Sequence, residues 1–409
     1  MEPIVGPTGS VTLTESQPAT TETDRLLTPT MVRLLIAAFG AAVSFYLLLS
    51  VVPLYVASTG SGNAGAGLAT GALMLATVLT ELTVPAMLAR FGYRTVLGLG
   101  LVLLGAPAAL LALSSKLVLV LAVCLARGAG LAIIVVAATA LVAKLAPVRR
   151  RAEGLAIYGV AFGAPGAIGL ALGVSLTSWV GFEPIFLAAT VASLAGLFAI
   201  PGLPSRRDHP EPPVPVLRGL TSSGLLRPAL VFSAVTIAVG VVVTFLPLAV
   251  AEDRRGLASA ALLIQALAVL AARWLAGRFG DRYGSELLLF PSVGLAAGGM
   301  LALVAVDNPV ALIGGMLLFG LGFGAAQNVT LAMMYDRVAE AEYARASAVW
   351  NLAYDGGMGI GAVTFGAIVS DTGYPTAFGL TVIVLIIAFV PAWQDHRAQP
   401  IGLRPAQRR

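Results

Sequence analysis

The chain has 409 residues, 58% of them hydrophobic and only 11% charged, with a mean hydropathy of +0.92 and a net charge of +5. Soluble globular domains carry about 25% charged residues, so an ordinary water-soluble fold is excluded and lipid is the implied solvent. A single cysteine, Cys124, excludes an intramolecular disulfide, and with only His209 and His396 beside it there is no Cys/His metal cluster.

Residues 1 to 31 are rich in Thr, Pro, Glu and Ser and lack an apolar core, which predicts a disordered tail and not a signal peptide. Apolar runs follow, each near the roughly 20 residues that a helix needs to cross a hydrocarbon core about 30 Å thick. In the first half they cover residues 32 to 57, 64 to 89, 93 to 113, 116 to 143, 152 to 176 and 182 to 202. Residues 203 to 227 hold five prolines among charged and small residues, a composition suited to a cytoplasmic linker. The second half gives runs at 228 to 252, 257 to 279, 285 to 306, 309 to 333, 343 to 368 and 374 to 394, and residues 395 to 409 form a closing tail. No run alternates with period two, so helices and not barrel strands must satisfy the backbone in lipid. The expected fold is an all-α membrane protein with 12 transmembrane helices in two pseudo-symmetric six-helix bundles, 32–202 and 228–394.

The halves repeat each other. Pro53 returns as Pro247, Arg151 as Arg345, and Gly128, Gly130 and Gly163 as Gly322, Gly324 and Gly357, each at an offset of 194. Arg90, Phe91 and Gly92 return as Arg282, Tyr283 and Gly284 at 192. Internal repeats of this kind are how secondary transporters frame a midplane site between two halves. With the amino terminus placed inside, 21 of the 25 basic residues fall in the tails and cytoplasmic loops, while Lys116, Arg254 and Arg255 fall opposite and Arg127 lies within a span. That asymmetry predicts both termini in the cytoplasm. The arginines are dispersed through short loops with no binding module, so no nucleic-acid partner is expected. Two lysines among many arginines, with abundant Ala and Gly, suggest a GC-rich bacterial genome and hence a bacterial cytoplasmic (inner) membrane.

An ionised side chain at the bilayer centre costs about 2.5–3.5 kcal/mol on insertion scales, so such residues face a cavity or a partner. Glu81 near the end of the second span, Arg127 within the fourth and Asp355 within the eleventh are of this kind, and Arg273 stands at the repeat position of Glu81. A carboxylate whose surroundings alternate between two sides can take up a proton on one and release it on the other, which makes Glu81, Asp355 and Arg127 candidates for proton coupling. The competing reading is a structural ion pair or, for Arg273, a side chain snorkelling to its helix end. The sequence holds no Gly-x-x-x-x-Gly-Lys-Ser/Thr phosphate loop and no nucleophile triad built on either histidine. No cofactor and no enzymatic activity are expected.

These residues resemble the major facilitator superfamily over nearly the whole chain. The family loop signature Gly-x-Leu-Ala-Asp-Arg-x-Gly-Arg is matched after the eighth span by Gly277, Asp281, Arg282 and Gly284; the first-half copy keeps Arg90, Gly92 and Arg94 but has Pro85 and Ala89 at the Gly and Asp positions. The resemblance implies that Asp281 steadies one face of the transport cycle by meeting a helix terminus and basic groups, and that the first-half loop lacks this acid. Where the family carries an arginine ahead of Gly-x-Gly in the fourth span, this chain has Cys124, with Arg127 about one turn on. In the fifth span Gly163, Pro165 and Gly169, with Gly159, Gly166 and Gly173, approach the Gly-Pro-rich gate of family exporters without its adjacent Gly-Pro pair. Small residues four apart also simply let helices pack closely.

The resemblance further implies that the first, fourth, seventh and tenth spans line a central cavity. They supply Tyr46, Tyr55, Thr244, Phe245, Gln327 and Asn328, with Gln265, Asn351 and Tyr354 as added polar groups, each of which can equally serve helix packing. Few charges and few carboxamides suit an apolar or amphipathic solute. The sequence therefore reads as an alternating-access secondary transporter similar to the 12-helix drug/proton antiporter branch. It would export a drug or metabolite by proton coupling, as a monomer in the bilayer whose partners are the solute and protons. Proton-coupled uptake and a non-transporting receptor or scaffold are the alternatives.

Overall fold

The computed structural model describes residues 26–147, 150–205, 223–339 and 342–398. Most of the expected tails and linker, including His209, lies outside the described residues. Among these residues the backbone is helical, without a strand. The elements are α1 Pro29–Leu49, α2 Val51–Val56, α3 Gly62–Glu81, α4 Val84–Gly105, α5 Leu117–Leu145, α6 Arg151–Val180 and α7 Glu183–Ala195 in the first half. The second half contributes α8 Ser223–Ala249, α9 Arg255–Tyr283, α10 Leu289–Ala302, α11 Pro309–Tyr335, α12 Tyr343–Ile387 and α13 Phe389–Ala398.

Helix starts follow local chemistry. The Met31 N–H donates to Thr28 Oγ1 (3.2 Å), and Val310 and Ala311 N–H donate to Asn308 Oδ1 (2.9 and 3.3 Å). Prolines occupy the first turns of α1, α4, α7 and α11, where the missing N–H loses no helical bond. The caps set α1 at Pro29, ahead of the expected 32, and α8 begins at Ser223 instead of 228.

Among the described residues ten helical stretches are long and apolar enough to cross a membrane, and two of them, Pro29–Glu81 and Tyr343–Asp395, run 53 residues. A straight helix of that length would reach about 80 Å at 1.5 Å per residue, far beyond a bilayer. Both are broken by glycines in the left-handed region, Gly60 (φ 97) and Gly62 (φ 60) in the first and Gly373 (φ 76) in the second. No atom lies within 4 Å of a Cβ placed on Gly60 or Gly62, so the dihedral and not space requires glycine there. The breaks fall where the sequence divides the first span from the second and the eleventh from the twelfth.

Within the first half α1 packs on α6 and α7, and α5 packs on α3 and α4; within the second, α8 packs on α12, and α11 on α9 and α10. The halves meet along two seams, α3 with α12 and α6 with α9. The outer surface is apolar: Phe198, Trp179 and Val310 are 91%, 83% and 80% exposed. Tyr374 Oη donates to Asn63 Oδ1 (2.8 Å) and Arg254 Nη1 to Asp307 O (3.0 Å) at one end of the molecule, the distal end. At the other, terminal end, Arg337 grips Asp395 with both nitrogens (2.7 and 2.6 Å) and Gly224 O (3.0 Å), tying α13 and the start of α8 to the turn after α11.

Packing corrects the register of the repeat. A Cβ on Gly128 would strike Leu73 O, and one on Gly320 would strike Gln265 O; Gly130 abuts Leu104 N and Gly100 O, and Gly322 abuts Ala296 N and Ser292 O. Each of these matched pairs is 192 apart, so Gly128 and Gly130 correspond to Gly320 and Gly322, not to Gly322 and Gly324. The run Gly320-x-Gly322-x-Gly324 fits Gly128-x-Gly130 in either of two registers, and only the backbone contact chooses between them. Helices α6 and α12 likewise start 192 apart, at Arg151 and Tyr343, so the pairing of Arg151 with Arg345 is also displaced by two. Gly92 and Gly284 (φ 74 and 93) and Gly181 and Gly373 (both φ 76) share the same spacing.

Candidate functional site

The seam is closed on its distal side. Ser50 Oγ donates to Val243 O (2.6 Å), the Thr70 and Thr244 hydroxyls share a hydrogen bond (3.0 Å), and Tyr374 bonds Asn63 across the same end. Between them α3 and α12 approach at backbone distance: Gly67 faces Ala362 O and the Gly366 Cα, and Gly359 faces the Met74 Cβ. Thr244 and Phe245, expected in the cavity wall, belong to this seal. Both are fully buried, and Phe245 packs against Phe365 (4.7 Å between centroids).

Charge gathers on the terminal side of the seal. Glu81 ends α3, and Asp355 lies one turn before Gly359 on α12. Asp355 is within electrostatic reach of Glu81, Tyr46 and Tyr354, and Arg273 is within reach of the same two tyrosines. Both carboxylates are half-buried and Arg273 is exposed. Among the described residues the ion pairs are made elsewhere, by Arg150, Arg255, Arg337 and Arg345, and neither carboxylate has such a partner.

Aromatic rings line this region from both halves. Tyr158 stacks on Phe162 (6.0 Å, 28°), which meets the Tyr46 ring edge-on (6.1 Å, 62°). Opposite, Trp350 stacks on Phe232 (4.6 Å, 18°) and contacts Tyr354 (5.7 Å), which also meets Phe323 (6.1 Å). Tyr46 is within electrostatic reach of both Tyr158 and Tyr354. Sequence reading missed Tyr158, Phe162 and Trp350, although a signal existed. In the corrected register Tyr158 corresponds to Trp350 and Phe162 to Tyr354, an aromatic pair at i and i+4 repeated 192 residues on.

The remaining candidates are dispersed. Arg127 is 1% exposed and sits inside the first half, donating to Leu104 O (2.6 Å) and Ser44 O (3.0 Å). Cys124 and Arg127 line one small internal cavity, so the displaced arginine does share the face of position 124. Its guanidinium is engaged by backbone carbonyls and not by the carboxylates. Tyr55 donates to Leu111 O (3.1 Å) and packs on Phe182 and Phe186, a distal packing position instead of a cavity one. Gln265 and Gln327 are buried, with the Gln265 backbone against Gly320. Asn351 is half-buried, and Asn328 Nδ2 donates to Arg273 O (3.4 Å).

In the loop motif, Gly277 faces Asn328, and Gly284 and Gly92 supply the left-handed turns. Arg282 lies over the Tyr283 ring (5.8 Å), Arg90 over Phe91 (5.3 Å), and Arg94 is exposed. The Asp281 side chain lies outside the described residues. In α6, Gly169 seats against Tyr46 and Leu47, Pro165 is accommodated within the helix, and Gly163 borders open space.

A chain of long apolar helices, repeated in register and joined along two seams around half-buried acids, defines a polytopic transporter fold. The sequence profile of the Major Facilitator Superfamily matches residues 34–328 and 228–408, and the chain belongs to that family. No curated protein matches it. Among solved structures it is similar to the nucleoside transporter NupG, at 15% identity and a TM-score of 0.71, over 90% of this chain and 99% of that one. A bacterial homologue of the human lysosomal transporter Spinster, inward-facing and occupied, gives 13% identity and a TM-score of 0.73, over 90% and 96%. A POT family transporter with a bound peptide conjugate gives 13% and 0.73, over 89% and 94%.

Proposed function

We propose that this transporter exports a small apolar or amphipathic solute in exchange for protons, rocking two six-helix units around the Glu81–Asp355 site. The observation that carries this reading is the pair itself: two carboxylates on the helices that form one seam, within reach of each other and without an ion-pair partner among the described residues. Like charges in an apolar seam repel, and a proton arriving there relieves the repulsion. A conformational cycle can be driven this way only if proton and solute each favour one state over the other.

In this reading each broken 53-residue stretch crosses twice, for twelve crossings, with the units divided at the 203–227 linker. The terminal end faces the bacterial cytoplasm, in keeping with its arginines. The closed distal seal above half-buried acids then corresponds to a cytoplasm-facing state. Likeness to an inward-facing solved structure agrees with this. The aromatic walls favour a flat, weakly charged solute, and the protein acts as a monomer.

The test is flux in proteoliposomes under an imposed proton gradient, with a panel of amphipathic compounds. Solute movement opposite to protons supports export, and movement with them reassigns the protein to uptake. Absence of any solute counterflow across the panel retires transport in favour of a receptor or scaffold role.

A further inference from the structure

Tyr158 and Trp350 are counterparts, 192 residues apart, yet their polar atoms are treated differently. Trp350 Nε1 donates to Thr330 Oγ1 (3.1 Å) on α11. The counterpart of Thr330 in the first half is Ala138, which offers no acceptor. Tyr158 is 7% exposed, and its hydroxyl has no hydrogen-bond partner among the described residues. Thr139 stands close to it, with its own hydroxyl donating to Val135 O (2.7 Å), but the two oxygens do not meet in hydrogen-bond geometry.

A buried hydroxyl without a partner is costly to keep. Phenylalanine would give the same stacking on Phe162 without that cost. The ring that carries the hydroxyl is also well placed. It forms one wall with Phe162 and Tyr46, and Tyr46 is within reach of Asp355 and Arg273. Alongside, Gly159 and Gly163 leave open space where side chains would stand.

We propose that the Tyr158 hydroxyl is a specificity-determining group that donates a hydrogen bond to an acceptor on the solute. The solute class is then a flat aromatic molecule bearing a carbonyl, ether or ring nitrogen, its body lying along the Phe162 and Tyr46 rings. Apolar walls with one placed polar group are the usual make-up of a small-molecule site. A site built to hydrogen-bond its ligand discriminates strongly against the analogue that lacks the partner atom. The inference rests on the transport reading for its biological meaning, but it is tested by binding alone.

The experiment measures binding of quinoline and naphthalene, one two-ring body with and without an acceptor nitrogen, to the protein in nanodiscs, corrected with empty nanodiscs. The native protein is expected to prefer quinoline by about tenfold, the effect of one hydrogen bond. Tyr158→Phe should abolish the preference by weakening quinoline alone, while the unliganded variant melts no lower than the native protein. Equal affinities in the native protein, or a preference that survives in the variant, overturns the proposal. So does a variant that melts several degrees lower without ligand, because the hydroxyl would then have a structural partner. An acceptor preference without proton-driven flux retires the transport reading alone; flux without the preference retires this inference alone.

Discussion

Position 127 holds a buried arginine, and position 319, its counterpart 192 residues on, holds a buried phenylalanine that stacks on Phe323. The same asymmetry recurs at Glu81 and Arg273, at Ala89 and Asp281, and at Gly163 and Asp355. What the two halves share is glycine: Gly128 with Gly320, Gly130 with Gly322, Gly92 with Gly284 and Gly181 with Gly373. Shared residues let backbones touch or turn, requirements that are the same in both halves. The charged residues are not repeated: Arg127 serves the packing of the first half alone, and Glu81, Arg273 and Asp355 each stand once on the seam helices.

Asp355→Asn, which neutralises the second-half acid, should reduce proton-driven flux in proteoliposomes to background while leaving solute exchange measurable; unchanged driven flux would remove Asp355 from coupling. Next in size, Arg127→Leu should remove two hydrogen bonds from a charged donor, to Ser44 O and Leu104 O, at about 1.5–3 kcal/mol each. Phe319→Leu, a change between large apolar groups, should cost less, about 1.5 kcal/mol or below. Thermal unfolding in detergent checks the order, and an Arg127→Leu protein as stable as Phe319→Leu would contradict the bonds to the two carbonyls.

Smaller than the loss at Arg127, Gly130→Ala and Gly322→Ala should destabilise by similar amounts, in the range of about 1–3 kcal/mol for overpacking, since both face backbone atoms at matched positions. Clearly unequal losses in the two variants would undo the 192 register. The smallest effect is expected for Tyr374→Phe, which removes one hydrogen bond from the distal seal. About 1 kcal/mol should shift the open-to-closed ratio at that end roughly fivefold, read as spin-label distances between α3 and α12. A distance distribution identical to that of the native protein would take Tyr374 out of the seal.

Much of the fold was legible in sequence because lipid imposes length and apolarity on every crossing, and those are composition signals. The breaks near residues 60 and 373 were legible for a related reason, since turns at a membrane surface draw in small and polar residues. Register was not. Gly320, Gly322 and Gly324 offer two alignments of equal quality, and a shift of two residues hid the repeated aromatic pair of Tyr158–Phe162 and Trp350–Tyr354. Glu81 and Asp355 could be singled out because charge in a span is rare. Their proximity could not be read, since it depends on how α3 meets α12. Tyr55, Thr244 and Phe245 look the same in sequence whether they line a cavity or close it. Arg127 stands out for its charge, yet the groups that hold it are carbonyls, which a sequence never displays.

In the seam between α3 and α12 bare backbones meet where Gly67 passes Ala362 and Gly366, and the Val363 side chain sits in the gap left by Gly71. Backbones that meet with so little side chain between them have few teeth to disengage, Val363 in the Gly71 gap being one, so one helix can roll on the other with modest repacking. The few hydroxyl and amide contacts around them are of a kind that water can replace. This edge of the molecule thus has the build of a bearing, and a bulky substitution at Gly67 would drive into Ala362 O and wedge the two helices apart.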